Sequence, residues 1–319
     1  MKLTRREFLR WTVLGAGAAA GAQVLAACGA PAGSAGMTRL PPPTPAAGST
    51  YLAVARGGDD PEALVRRAVA AIGGMERFVP KGANVVIKPN VCTAGRAYEY
   101  AATTNPWVVG AVVKLAREAG AARVRVFDNP FGGTAEDAFA TSGIADQVAA
   151  AGGEMEYPSA MKFVSAGLPA GETLKKTVVY GDVLDADVLI NVPLPKHHSL
   201  AQLTIGMKNM LGVIRDRPEM HASLNQILVD LNQFLLPTLT IVDAVRILTA
   251  NGPTGGNLDD VRKLDTVIAT HDGVAADAYA TTLFGWEDPD RLLYVKYGAQ
   301  RGLGRSDLEN LQIEEIAVG

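Results

Sequence analysis

The chain has 319 residues, 48% of them hydrophobic, enough to bury a substantial core as one large domain or two lobes, and too apolar for a disordered or fibrous protein. The formal net charge of -3 becomes -6 once residues 1–27, which hold four basic and one acidic side chain, are removed, so no nucleic-acid footprint is present. With two cysteines, Cys28 and Cys92, one chain can assemble neither a disulfide framework nor a cysteine-rich metal centre, and any metal falls chiefly to His, Asp, Glu, Asn or Lys-borne groups.

The first segment reads as an address. Thr4-Arg5-Arg6-Glu7-Phe8-Leu9 resembles the twin-arginine export motif and precedes an uncharged Ala/Gly-rich stretch from Trp11 to Ala27. Leu25-Ala26-Ala27-Cys28 resembles a lipobox, which implies a lipid anchor on Cys28 and a twin-arginine translocase as a partner. Residues 1–28 are thus expected to be a signal and 29–50, rich in Pro, Ala, Gly, Ser and Thr, a flexible tether that does not pack on the domain spanning 51–319. The implied location is the outer face of the cytoplasmic membrane or the cell surface.

Within the domain, Tyr51–Ala55 predicts a strand and Pro61–Phe78 an amphipathic helix capped near Asp59 or Asp60. Asn84–Ile87 predicts a second strand that delivers Lys88-Pro89-Asn90, Pro106–Ala119 a helix stopped by Gly120, and Val124–Phe127 a third strand ending in Asp128-Asn129. This alternation predicts an α/β fold, doubly wound, with a mainly parallel sheet and helices on both faces. Short helices follow near 135–140 and 144–151, and residues 154–180 read as short strands. Val188–Val192 is an apolar run ending in Pro193, read as a buried parallel strand that places Lys196-His197-His198 just beyond its carboxyl end. Later elements are a helix over Leu224–Leu235, a strand over Leu239–Val242 ending in Asp243, a glycine-rich loop at 251–256, a strand over Thr266–Ala269 ending near His271-Asp272, two helices, and a closing strand at Ile313–Ala317.

Several of these strands end in polar residues. If the strands are parallel, Lys88, Asn90, Asp128, Lys196, His198, Asp243 and His271-Asp272 converge on one sheet edge, where this class of fold builds its sites. Ordinary capping and turn chemistry is the competing reading, strongest for Asn129 and Asp272. Cys92, after Asn90, reads first as a small buried hydrophobe and second as a soft metal ligand.

Taken together, KPN at 88–90, DVLINVPLPKHHSL at 187–200, GMKNMLGV at 206–213, NGPTGG at 251–256 and HDGVAADAYA at 271–280 resemble the domain of unknown function 362 family over about residues 51–304. The central segment also resembles, more distantly, the cofactor-binding stretch of nickel-pincer lactate racemases. There a catalytic His is followed ten residues later by a Lys that carries the nickel-pincer nucleotide, and then by a metal-ligating His.

His198, Lys208 and His221 fall in that order. The resemblance implies Lys208 as the cofactor attachment point or phosphate ligand, His221 as a metal ligand and His198 as acid/base. Beside it, Asn209, Lys88 and Asn90 are expected as further cofactor-binding residues, His198 as a second ligand of a divalent metal, and Lys196 and Asp128 as catalytic groups with His198. No His precedes His197 in the segment, so the second base of a two-base racemase has no counterpart.

The expectation is a metal- or metallocofactor-dependent enzyme, racemase/isomerase- or oxidoreductase-like, moving a proton or hydride on a small anion bound by Lys88 and Lys196. The alternative is a cell-surface binding lipoprotein that holds such an anion without turnover. Helix geometry adds one expectation: a straight helix from Ser199 would carry Lys208 too far from His198 to share a site. Residues 201–205 are therefore expected to be extended or irregular, with a helix starting near Gly206 and His221 close by.

Overall fold

The computed structural model describes residues 42–43, 48–215, 217 and 222–319. The expected signal at 1–28, most of the expected tether and His221 lie outside them. Of the described tether residues, Pro43 does touch the domain, its carbonyl accepting from Arg77 Nη2 at 3.3 Å.

Strand β1 (Leu52–Arg56) leads to helix α1 (Pro61–Ala71), where the Asp60 side chain accepts from the Glu62 N–H and Pro61 starts the first turn. The predicted continuation to Phe78 fails because Gly73 and Gly74 take φ of 105° and 82°, a left-handed stop that other residues resist. Strand β2 (Asn84–Pro89), helix α2 (Pro106–Glu118, capped by Asn105) and strand β3 (Arg123–Phe127) follow as expected. Helices α3 (Ala135–Thr141) and α4 (Ile144–Ala150) precede the short strand β4 (Glu154–Glu156).

Strands β5 (Phe163–Gly167) and β6 (Lys176–Tyr180) form a separate antiparallel pair, followed by the single turn α5 (Gly181–Leu184). Strand β7 (Val188–Val192) is wholly buried, and β8 (Lys196–His198) and β9 (Gln202–Thr204) make a small hairpin. The four-residue helix α6 (Gly206–Asn209) comes next, then α7 (Leu224–Leu235), β10 (Leu239–Leu248), β11 (Val261–Thr270), α8 (Gly273–Thr282), α9 (Leu293–Gln300) and β12 (Ile313–Ala317).

The main path of the sheet runs β12-β1-β11-β10-β7-β2-β3-β4, with every neighbouring pair parallel except those made by β11. Successive side chains of each strand enter different cores. Val85, Ile87, Ile190 and Ile241 pack with α1, α2 and α4 on one face. On the other face Val86 and Leu189 pack with α7, while Val54, Val242 and Ile268 pack with α7, α8 and α9. This is the doubly wound α/β architecture the sequence predicts. Among the described residues no helix is long and apolar enough to cross a membrane.

The reversal of β11 corrects one expectation. His271 and Asp272 leave β11 at the edge opposite the carboxyl ends of β2, β3 and β7, so they cannot join Lys88 and Asp128. They line a different cavity with Tyr51, and Asp272 caps α8 through the Val274 and Ala275 N–H groups. Asp243 is also displaced, because β10 continues to Leu248 and leaves it inside the strand, accepting from the Asn105 and Val245 N–H groups.

Candidate functional site: a cationic cavity at the carboxyl edge

Strand β2 ends in Lys88-Pro89 inside the protein, so the Lys88 ammonium must find its partners there. It finds three acceptors: Asp128 Oδ1 at 2.8 Å, the Pro89 carbonyl at 2.7 Å and Asn209 Oδ1 at 2.9 Å. Three donors and three acceptors leave nothing over. Asp128, at the end of β3, also accepts from the Val91 and Asn129 N–H groups, which ties the loops after β2 and β3 together. Gly212 closes over the pair, where a Cβ would collide with both Asp128 Oδ1 and Lys88 Nζ. Lys88 is therefore a structural post, and the expected role of anion ligand does not suit it.

Asn209 extends the network, donating to Asn191 Oδ1 at 2.8 Å and accepting from Asn90 Nδ2 at 3.0 Å. Asn90 in turn accepts from Lys196 Nζ at 2.7 Å, and the same ammonium donates to the Ala102 carbonyl at 2.8 Å and lies against Cys92. Burial lowers the Lys196 pKa, opposed by Cys92 and Asp128.

The β8–β9 hairpin supplies the adjoining wall. His198 Nδ1 accepts from the Leu200 and Ala201 N–H groups at 3.1 and 3.2 Å, which closes the turn and leaves the proton of a neutral ring on Nε2. His197 Nδ1 accepts from the Gly252 N–H at 3.2 Å and so holds the 251–256 loop. Residues 202–204 are extended and the helix begins at Gly206, so the chain turns back and Lys208 and His198 line one cavity. Asp277 fixes this helix from below, its carboxylate accepting from the Gly206 and Met207 N–H groups at 2.7 and 2.8 Å.

The cavity is about 490 Å³ in volume. The seven described residues expected to be catalytic, cofactor-binding or metal-ligating all line it: Lys88, Asn90, Asp128, Lys196, His198, Lys208 and Asn209. Arg217, Thr204 and Phe131 line it too and were missed. Arg217 follows no strand, Thr204 hides in a three-residue strand, and Phe131 stands in an irregular loop, so no periodic signal marks them.

Lys208 differs from the other lysines, for no hydrogen bond or ion pair holds its ammonium among the described residues. Burial pushes its pKa down to about 8, helped by the positive charges of Lys196 and Arg217 and opposed by Cys92. Arg217 donates to the Asn129 carbonyl at 2.5 Å, and burial lowers its pKa against the pull of Asp128 and Cys92. Among the described residues the cavity thus holds Lys196, Lys208, Arg215 and Arg217, while its one carboxylate, Asp128, is already paired to Lys88.

That donor set does not suit a bare divalent cation. Among the described residues no three His, Cys, Asp or Glu side chains come together to hold one. Asp128 is committed to Lys88, and His198 has spent Nδ1 on its own turn. As far as the described residues go, the cavity suits a group that brings negative charge, including a metal held inside an organic cofactor that carries its own donors and anionic groups.

Fold and site together define an α/β protein with a cavity lined by lysine and arginine at the carboxyl edge of its sheet. The chain belongs to the family described as Domain of unknown function (DUF362), whose model matches residues 85–282. A thylakoid-associated protein of Synechocystis sp. is 28% identical over 230 residues, 69% of each chain. Among solved structures, the lactate racemase apoprotein from Thermoanaerobacterium thermosaccharolyticum is similar at 13% identity and a TM-score of 0.46. The match covers 73% of this chain and spans 56% of that one.

Proposed function

We propose that this protein is an enzyme that binds a small organic anion, as substrate or as the anionic part of a cofactor, and moves a proton beside the bound anionic group. One observation carries the reading: Lys208 stands without a partner in a cavity where positive charge exceeds negative among the described residues. A pKa of about 8 leaves roughly a tenth of its amine neutral at pH 7, the poise that general acid–base catalysis favours. In this account Lys196, Arg217 and the protonated form of Lys208 attract the anion, Lys208 also gives and takes the proton, and His198 stands in the adjoining wall.

Asp128 acts only through Lys88. A metal-bearing cofactor such as a nickel-pincer nucleotide would fit here as part of the anionic ligand, with Lys208, Asn209 and Asn90 beside it; the expected ligand His221 lies outside the described residues. Export by the twin-arginine route and anchoring at Cys28 complete the proposal, and they rest on residues 4–9 and 25–28 alone.

The test is solvent exchange. Protein purified from a host that exports it is incubated in heavy water with a panel of small carboxylic and phosphorylated acids, and deuterium uptake into each is read by mass spectrometry. The expected result is exchange into at least one acid, lost in Lys208→Ala. Tight binding of an acid with no exchange would instead establish a binding protein, and neither binding nor exchange would remove the anion site altogether.

A further inference from the structure

We infer that Thr204 is the residue that seats a phosphate group in this cavity, so that the anion accepted there is a phosphorylated molecule. The inference rests on the anion-binding reading above and narrows it to one chemistry. Thr204 is 4% exposed, lines the cavity, and its hydroxyl has no hydrogen-bond partner among the described residues. A buried hydroxyl without a partner destabilises the protein that carries it, and an orphan in the wall of a cavity gains its partner when a ligand arrives.

Its neighbours say what that ligand is. In the β8–β9 hairpin Thr204 is the direct cross-strand partner of Lys196, which puts both side chains on one face of the ladder. Lys208 follows four residues later on α6, with its ammonium unpaired among the described residues. Two ammonium groups and a hydroxyl, with the Arg217 guanidinium in the same cavity, match an acceptor with several oxygens and more than one negative charge. A monocarboxylate would balance one of the cations Lys196, Lys208 and Arg217, whereas the dianion of a phosphate monoester balances two of them.

A one-step rotation about χ1 exchanges the hydroxyl for the methyl group of threonine, so Oγ1 can meet the ligand without backbone movement. Phe131, 61% exposed and also lining the cavity, leaves an apolar surface for the organic remainder of the molecule.

The experiment is calorimetric titration of the full chain with inorganic phosphate and, separately, acetate at fixed ionic strength, using wild type, Thr204→Val, Thr204→Ser and Thr204→Ala. Wild type is expected to prefer phosphate over acetate. Thr204→Val, which keeps the shape and removes the hydroxyl, should weaken phosphate binding about tenfold or more, and Thr204→Ser should recover most of it. The melting temperature of Thr204→Val should equal or exceed that of wild type, because an orphan hydroxyl has been removed, and a merely structural threonine would not give that pairing of effects. Should Thr204→Val fail to fold, Thr204→Ala carries the same expectation for binding. Equal phosphate affinity in wild type and the hydroxyl-free variants, or a preference for acetate, overturns this inference alone. Failure of wild type to bind either anion overturns it together with the anion-binding reading.

Discussion

Lys88 and Lys208 are both pushed by burial to a pKa of about 8, yet they should answer opposite ways to removal. Lys88 has three acceptors, one of them the buried carboxylate of Asp128 at 2.8 Å. Lys88→Met strands that carboxylate and is expected to cost about 3–5 kcal/mol, read as a lower urea midpoint. Lys208 has no such partner among the described residues, and its burial makes its charge a burden on the fold. Its ordinary value of 10.5 exceeds the folded one, so the native chain binds fewer protons between about 8 and 10.5 and stability rises with pH across that window. Lys208→Met is therefore expected to stabilise the protein at pH 7 on the order of 2 kcal/mol, with the gap closing toward pH 10.5. A destabilised Lys208→Met would mean that the ammonium has a structural partner. Sequence alone does not separate these lysines, since each has an asparagine one or two residues on and apolar residues around it, and only the fold reveals which one is enclosed by acceptors.

At the scale of elements, α6 is too short to hold itself, and its position depends on Asp277. Gly206 is required there because a Cβ would press on Asp277 Oδ1. Asp277→Asn turns one acceptor into a donor facing a backbone N–H, and should cost about 1–3 kcal/mol while weakening anion binding through the displacement of Lys208. Unchanged phosphate affinity in a destabilised Asp277→Asn would separate the helix anchor from the site.

The turn at residues 202–206 was legible, since β-branched residues before glycine oppose a continuous helix, and the structure places β9 and the start of α6 there. The direction of β11 was not legible. A buried apolar strand reads the same forwards and backwards, and only the antiparallel pairing Val242↔Ile268 fixes its sense. Asp277 was missed for a related reason: one acid in the small-residue run HDGVAADAYA carries no periodic mark of its role.

At the scale of the whole molecule, an acidic chain of net charge -3 concentrates positive charge in one cavity at the end of its parallel strands. The apolar runs of β2, β3 and β7 fixed that edge from sequence, while the hairpin and the segment around Arg217 that complete the cavity depend on tertiary contacts. The central claim is that this cavity binds anions through the charge of Lys208. The most direct measurement is the affinity for sulfate, a dianion throughout the range, from pH 6 to pH 10 at constant ionic strength, in wild type and Lys208→Ala. Wild-type affinity should hold steady below about pH 7 and fall about tenfold by pH 9 as the ammonium loses its proton near 8, while Lys208→Ala binds weakly with no such fall. Sulfate binding in wild type that ignores pH across 8, or that survives intact in Lys208→Ala, would contradict it.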